Sequence, residues 1–313
     1  MKSQFISNKL IWLFILFALL IGAAIYLIPN FRSDILILLR RMRLSFLGVA
    51  FLFTILHFLM EPARWYFYLE NLSRPDRVSY KKLLCIFSVT ALVTYIFPAK
   101  LGLPVRMYLL TSQIKITLLK VTTFMALDGL LNYSLWGVPA LIFLPVYGID
   151  FPQYTFLFLL IIPVLLLFAY LLRQRLRNLL KTLYDNIRLL TLKSTFAATL
   201  FLLFDITSYI CRHSLILAAL NVQVPFFQVA IITIISIFGG FISMIPMGMG
   251  AYDVTIILLL TQSGVSYETA LLVPLVNRTG NILASIVLGS PSSYALGVSF
   301  WTLRNKCGSG IKE

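Results

Sequence analysis

Charges buried in apolar sequence are where this chain could do chemistry. Lys100 and Arg106 stand in PAKLGLPVR (98–106), and Asp253 stands in PMGMGAYD (246–253). Pro98 and Gly102 open the first segment; Pro246, Gly248 and Gly250 open the second. Proline removes a backbone donor and glycine relaxes the chain, so each segment should break a helix and present helix-end dipoles at membrane depth. The first would be interrupted twice, at Pro98 and at Pro104. Beside such an end, Arg106 with Lys100 could grip a phosphate or carboxylate, since a guanidinium offers two parallel bonds to an oxyanion. Asp128 (TTFMALDGLLNYSLW) and Arg278 (LLVPLVNRTGNILAS) lie in two further apolar runs, Arg278 flanked by Asn277 and Asn281. Asp205 shares one helical face with Tyr209, Arg212 and His213. A charge at the centre of a span costs about 2.5–3.5 kcal/mol on insertion scales, so each of these needs a partner or a task.

The elements that carry them must be membrane helices. The chain has 313 residues, 60% hydrophobic and 12% charged. Soluble domains carry about 25% charged residues, so no water-facing surface can be built. Long apolar runs recur throughout, and alternating strands of the barrel type are absent, which leaves an all-α polytopic fold. Spans are expected at about 10–28, 44–62, 80–97, 119–147, 154–172, 195–220, 227–245 and 266–289. Two short broken or re-entrant segments, 98–113 and 246–263, supplement these eight. Residues 173–194 hold six basic residues, Lys193 the last of them, with Asp185 as the one acid and leucines at helical spacing. They read as an amphipathic connection on the cytoplasmic leaflet. The run at 10–28 reads as a retained first helix rather than a signal peptide, because it is long and lacks a small-residue cleavage site.

The 26 Lys and Arg against 11 Asp and Glu give a net charge of +15. They concentrate in short loops and helix ends, which points to the positive-inside pattern and anionic lipid rather than nucleic acid. Three separated cysteines (Cys85, Cys211, Cys307) and two histidines (His57, His213), without HExxH or CxxC, give no expectation of a metal or other cofactor. The cluster Glu61, Arg64, Trp65, Tyr66 reads as an aromatic anchor at the membrane edge.

An internal repeat is expected. Pro98 and Pro246 are 148 residues apart (246 − 98), and Gly102 and Gly250 follow at the same offset. Arg64 matches Arg212, Leu69 Leu217 and Ser88 Ser236. After a two-residue insertion the offset becomes 150 (278 − 128), setting Asp128 against Arg278. The halves are read as 51–147 and 199–289 within one domain, 1–313. Loops of the first half carry Arg74, Arg77, Lys81, Lys82, Lys115 and Lys120; those of the second, 221–228 and 264–269, carry no Lys or Arg. That asymmetry favours inverted halves with both termini in the cytoplasm, leaving Arg40, Arg41 and Arg43 as the exception. A parallel repeat follows if the short segments dip and return. Either way, Asp128 and Arg278 are expected to pair across the axis. Arg106 and Arg278 are expected to face one shared polar cavity, with Asp128 and Asp253 as its acids.

These motifs resemble the lysylphosphatidylglycerol synthase transmembrane region family, the flippase-like domain proteins. A family pattern Pro-x-Arg-x-Gly-Glu-x-x-Arg is met by Pro98, Lys100, Gly102 and Arg106. A second, Pro-Gly-Gly-Leu-Gly-x-x-Glu, is met by Pro246, Gly248, Gly250 and Asp253, and a later Arg-x-x-Asn by Arg278 and Asn281. Leu103 stands where the family has glutamate, Met247 replaces a glycine, and the next helix keeps only Asp128, Gly129 and Asn132 of a richer polar pattern. The resemblance implies a translocator for an anionic lipid or lipid-linked sugar in the cell (inner) membrane, and not an enzyme. Nothing of domain size follows the last span, so the synthase activity of bifunctional members is not expected. Expected partners are membrane lipids or lipid-linked sugars, with envelope-biosynthesis enzymes as further candidates. A non-transporting scaffold for a glycosyltransferase or lipid-synthase complex is the rival reading; an isoprenoid-phosphate transferase lacks its acidic metal pair.

Overall fold

The computed structural model describes residues 42–70, 78–96, 101–147, 192–242 and 250–298. The expected spans at 10–28 and 154–172, most of the basic connection, and Pro98, Lys100, Pro246 and Gly248 lie outside them. The described residues are helical throughout: α1 Leu44–Glu70, α2 Tyr80–Ile96, α3 Gly102–Ile114, α4 Leu118–Phe143, α5 Leu192–Ala219, α6 Phe226–Ile242, α7 Ala251–Gln262 and α8 Tyr267–Ala295. A 3-10 turn, Leu144–Tyr147, follows α4. Segments Leu44–Leu69, Leu118–Phe143, Lys193–Ala219 and Tyr267–Ala295 are long and apolar enough to cross a membrane. At 1.5 Å per residue each exceeds the ~30 Å hydrocarbon core. Their outer faces bear Leu52, Leu130, Ile142, Phe196 and Phe204, all exposed, as lipid-facing positions require.

Helix lengths run long, middling, short, long, and then repeat. The first four have 27, 17, 13 and 26 residues, the second four 28, 17, 12 and 29. Contacts are reciprocal in the same way. Helices α1 and α5 make the most extensive contact of the bundle, α8 packs on α2, and α4 packs on α6. Glycines allow both cross-half contacts: a Cβ on Gly289 of α8 would lie 2.8 Å from the Ser88 carbonyl of α2, and one on Gly137 of α4 would lie 2.7 Å from Phe238 of α6. Small residues let membrane helices approach closely, where dispersion replaces the hydrophobic drive that lipid removes. Two apolar clusters form the core, each drawn mainly from one half, that of the second half also taking Trp136 and Ala140 of α4. One is built around Trp65, Leu83, Leu109 and Phe124, the other around Ile216, Ile232, Ile256 and Leu272.

Two local expectations are corrected. Helix α1 does not stop near residue 62 but runs to Glu70 with Pro62 inside it. Trp65, Tyr68 and Leu69 are fully buried, so this stretch is core and not a membrane-edge anchor. Proline is tolerated there because neighbouring helices restore the lost stabilisation. Pro104 does not break α3 either: it sits in the first turn, where its missing N–H has no intrahelical acceptor to lose.

Candidate functional site

The starts of the two short helices position the first charges. Helix α3 begins at Gly102, pressed so tightly on α2 that a Cβ there would overlap Thr94 Oγ1 and lie 3.1 Å from the Thr90 carbonyl. That contact holds Arg106, one turn on, over the Phe87 ring (4.3 Å) and 2.6 Å from Glu61 Oε1 of α1. Helix α7 begins after Gly250, whose φ of 89° is open to glycine at little cost. Asp253 Oδ2 accepts the Gly250 N–H at 3.1 Å, a side chain reaching back to cap its own helix. The same carboxylate receives Arg278 of α8, with Nε to Oδ1 at 3.1 Å and Nη2 to Oδ2 at 2.6 Å.

Deeper in the first half, Arg64 lies one turn beyond Glu61 on α1, on the same face. It meets Asp128 of α4 with Nε 2.5 Å from Oδ1 and Nη2 donating to Oδ2 at 3.0 Å. Arg64 is 3% exposed. Asn132, expected beside Asp128, donates instead to the Asp128 backbone carbonyl at 2.8 Å. The result is a chain of alternating charge: Arg106, Glu61, Arg64, Asp128.

In the second half the helix carrying Asp205, Tyr209, Arg212 and His213 sends them to different neighbours. Asp205 Oδ1 lies 2.5 Å from His57 Nδ1 of α1. These two are 148 apart, the offset of the repeat, and they meet where α1 and α5 touch. His213 Nδ1 faces the Tyr209 carbonyl at 2.9 Å, and Nε2 faces Tyr252 Oη at 2.6 Å. A carbonyl only accepts, so the neutral Nδ1–H form fits; Tyr252 then donates to Nε2 and accepts from Asn277 Nδ2 at 3.3 Å. Arg212, 1% exposed, donates from Nη1 to Asn281 Oδ1 (2.9 Å) and Thr54 Oγ1 (3.4 Å) and stacks 4.0 Å over Tyr209. Tyr209 also contacts the His57, His213 and Trp136 rings.

The sequence-predicted residues are thus regrouped. Asp253 and Arg278 come together, as do Arg212 and Asn281. Asp128 and Arg278 do not pair. Each finds its counter-charge within its own half, because α4 packs on α3 and α6 whereas α8 packs on α1, α2, α5 and α7. The residues not expected at the site are His57, Glu61, Arg64 and Tyr252. One signal was present: Arg64 is the repeat mate of Arg212, so two arginines recur at one position in the first long helix of each half.

The profile of the lysylphosphatidylglycerol synthase TM region matches residues 11–289. The chain belongs to that family. No curated protein and no solved structure matches it. The family match spans both halves described above, and the chain is therefore a multi-pass membrane protein. The residues that carry the family's likeness, Gly102, Arg106, Gly250, Asp253, Arg278 and Asn281, fall in the first turns of α3 and α7 and on α8, where Arg278 meets α7 and Asn281 meets α5. Among the described residues no group of three His, Cys, Asp or Glu side chains could hold a metal ion.

Proposed function

We propose that this protein translocates an anionic lipid or lipid-linked glycan precursor across the cell (inner) membrane, without catalysing a covalent step. The observation that carries the reading is a pair of accessible salt bridges, one at the start of each short helix. Arg106 and Glu61 side chains are 14% and 32% exposed, and Arg278 and Asp253 are 22% and 23%. By contrast, the Arg64–Asp128 pair is almost sealed, at 4% and 10%. An accessible guanidinium can exchange an internal carboxylate for a headgroup oxyanion without leaving a buried charge unpaired. Membership of a family described by a lipid-synthase transmembrane region supports a lipidic substrate. The headgroup passes between the halves, along a shared polar path lined by Arg106 and Arg278, while its acyl chains remain in lipid.

The test is lipid flipping in proteoliposomes. Arg106→Ala should lower flux at least tenfold while the thermal midpoint in detergent moves little, since Gly102 still seats α3. Arg106→Lys should recover little of it, because an ammonium cannot reproduce two-point binding. Wild-type flux in the Ala variant would remove the headgroup role.

A further inference from the structure

The reading above leaves Arg212 without a task, and its surroundings single it out. Three buried or half-buried arginines present the same edge of the guanidinium, the Nε and Nη2 side. In Arg64 that edge holds Asp128, and in Arg278 it holds Asp253. In Arg212 both nitrogens of that edge are buried and have no hydrogen-bond partner among the described residues. Its engaged nitrogen, Nη1, meets only neutral oxygens, those of Asn281 and Thr54. The four carboxylates inside the described bundle are taken elsewhere: Glu61 by Arg106, Asp128 by Arg64, Asp205 by His57 and Asp253 by Arg278.

The repeat offsets set Arg212 beside Arg64 as a contrast. Arg64 and Arg212 are mates, and the position matching Asp128, the residue that neutralises Arg64, is Arg278. The second half thus has a base where the first has that acid, and the base is paired with Asp253. A guanidinium cannot shed its charge by deprotonating. Buried, and bonded on one side only, it is a costly feature.

We infer that the Nε/Nη2 edge of Arg212 is an oxyanion subsite, taking a phosphate, phosphodiester or carboxylate with two parallel bonds. Asn281 and Thr54 hold the guanidinium from behind through Nη1, and Tyr209 fixes its plane. The site lies where α1, α5 and α8 meet. The inference rests on the translocator reading only for where the anion comes from. The binding itself requires no flux.

The experiment is ligand-induced thermal stabilisation of the detergent-purified protein. Probes are inorganic phosphate, dioctanoyl phosphatidic acid and, as the phosphate-free control, dioctanoylglycerol. Wild type should be stabilised by phosphatidic acid and not by dioctanoylglycerol. A response to phosphatidic acid alone identifies a lipid headgroup, and a response to inorganic phosphate as well identifies a free anion as sufficient. Arg212→Gln should weaken binding at least tenfold. Should that variant fail to fold, Asn281→Asp decides: it sets a carboxylate beside Arg212 in place of the neutral amide, and should abolish the response while keeping the fold. Wild-type responses in either variant would overturn the subsite, as would a wild type that no phosphate probe stabilises. Binding lost with flux intact in Arg212→Gln leaves the translocator standing without this site serving it; binding present in a protein that moves no lipid leaves the site and removes the translocator.

Discussion

The two halves share helix order and lengths but not charge balance. In the first, Arg106, Glu61, Arg64 and Asp128 alternate and neutralise one another. In the second, Arg278 consumes Asp253, Asp205 is held by His57 of the first half, and Arg212 is left facing neutral groups. One half behaves as a closed ionic scaffold and the other as an open one. Two halves of like helix order can thus present the same arginine in different settings: Arg64 faces an internal carboxylate, and Arg212 does not.

The largest expected effect sharpens this contrast. Asp128→Asn leaves Arg64, at 3% exposure, without the carboxylate in direct contact with it. Removing one member of a buried pair typically costs about 3–5 kcal/mol. The same measurement on Arg212→Gln should show little loss or a gain, because there the substitution removes a charge already unpaired. Equal destabilisation in the two variants, read by thermal or chemical unfolding in detergent, would show that the halves do not differ in this way.

A smaller effect tests the seat of α3. Gly102→Ala forces Thr94 to move and crowds the Thr90 carbonyl, and overpacking of this kind costs about 1–3 kcal/mol. Thr94→Ala removes the overlapping hydroxyl and should return part of that loss, a coupling that a double-mutant cycle reads directly. The Gly250 end of α7 should respond differently. Space there is open and only the positive φ resists a side chain, so no neighbouring truncation can rescue Gly250→Ala.

Much of the architecture was legible because apolar length is a local property. The expected spans from 80 to 97, 119 to 147, 195 to 220, 227 to 245 and 266 to 289 each coincide with a helix of the bundle. The site was less so, because pairing is a tertiary property. Asp128 announces that it needs a cation, but nothing local says whether Arg64 or Arg278 supplies it. The extent of α1 was missed since Pro62 and four charged or aromatic residues, Glu61, Arg64, Trp65 and Tyr66, resemble a membrane edge. They become interior once α2, α4 and α5 surround them. His57 was hidden for another reason: its repeat mate is Asp205, and a match between a histidine and an aspartate leaves no trace in a search for identical residues.

The smallest stability effect should come from the salt bridge with the largest functional role. Asp253 and Arg278 are each about one-fifth exposed, and ion pairs with that access to polar surroundings contribute about 0–1 kcal/mol. Asp253→Asn keeps an oxygen to accept the Gly250 N–H, so the start of α7 survives and only the charge is lost. The thermal midpoint should therefore shift far less than in Asp128→Asn. Flux should change more than stability, because Arg278 then offers its Nε/Nη2 edge without an internal competitor. A headgroup would bind there more tightly and leave more slowly, so apparent affinity should rise as the maximal rate falls. A proteoliposome titration that finds both unchanged would make Asp253–Arg278 a fastening between α7 and α8, and would leave Arg106 as the accessible end of the path.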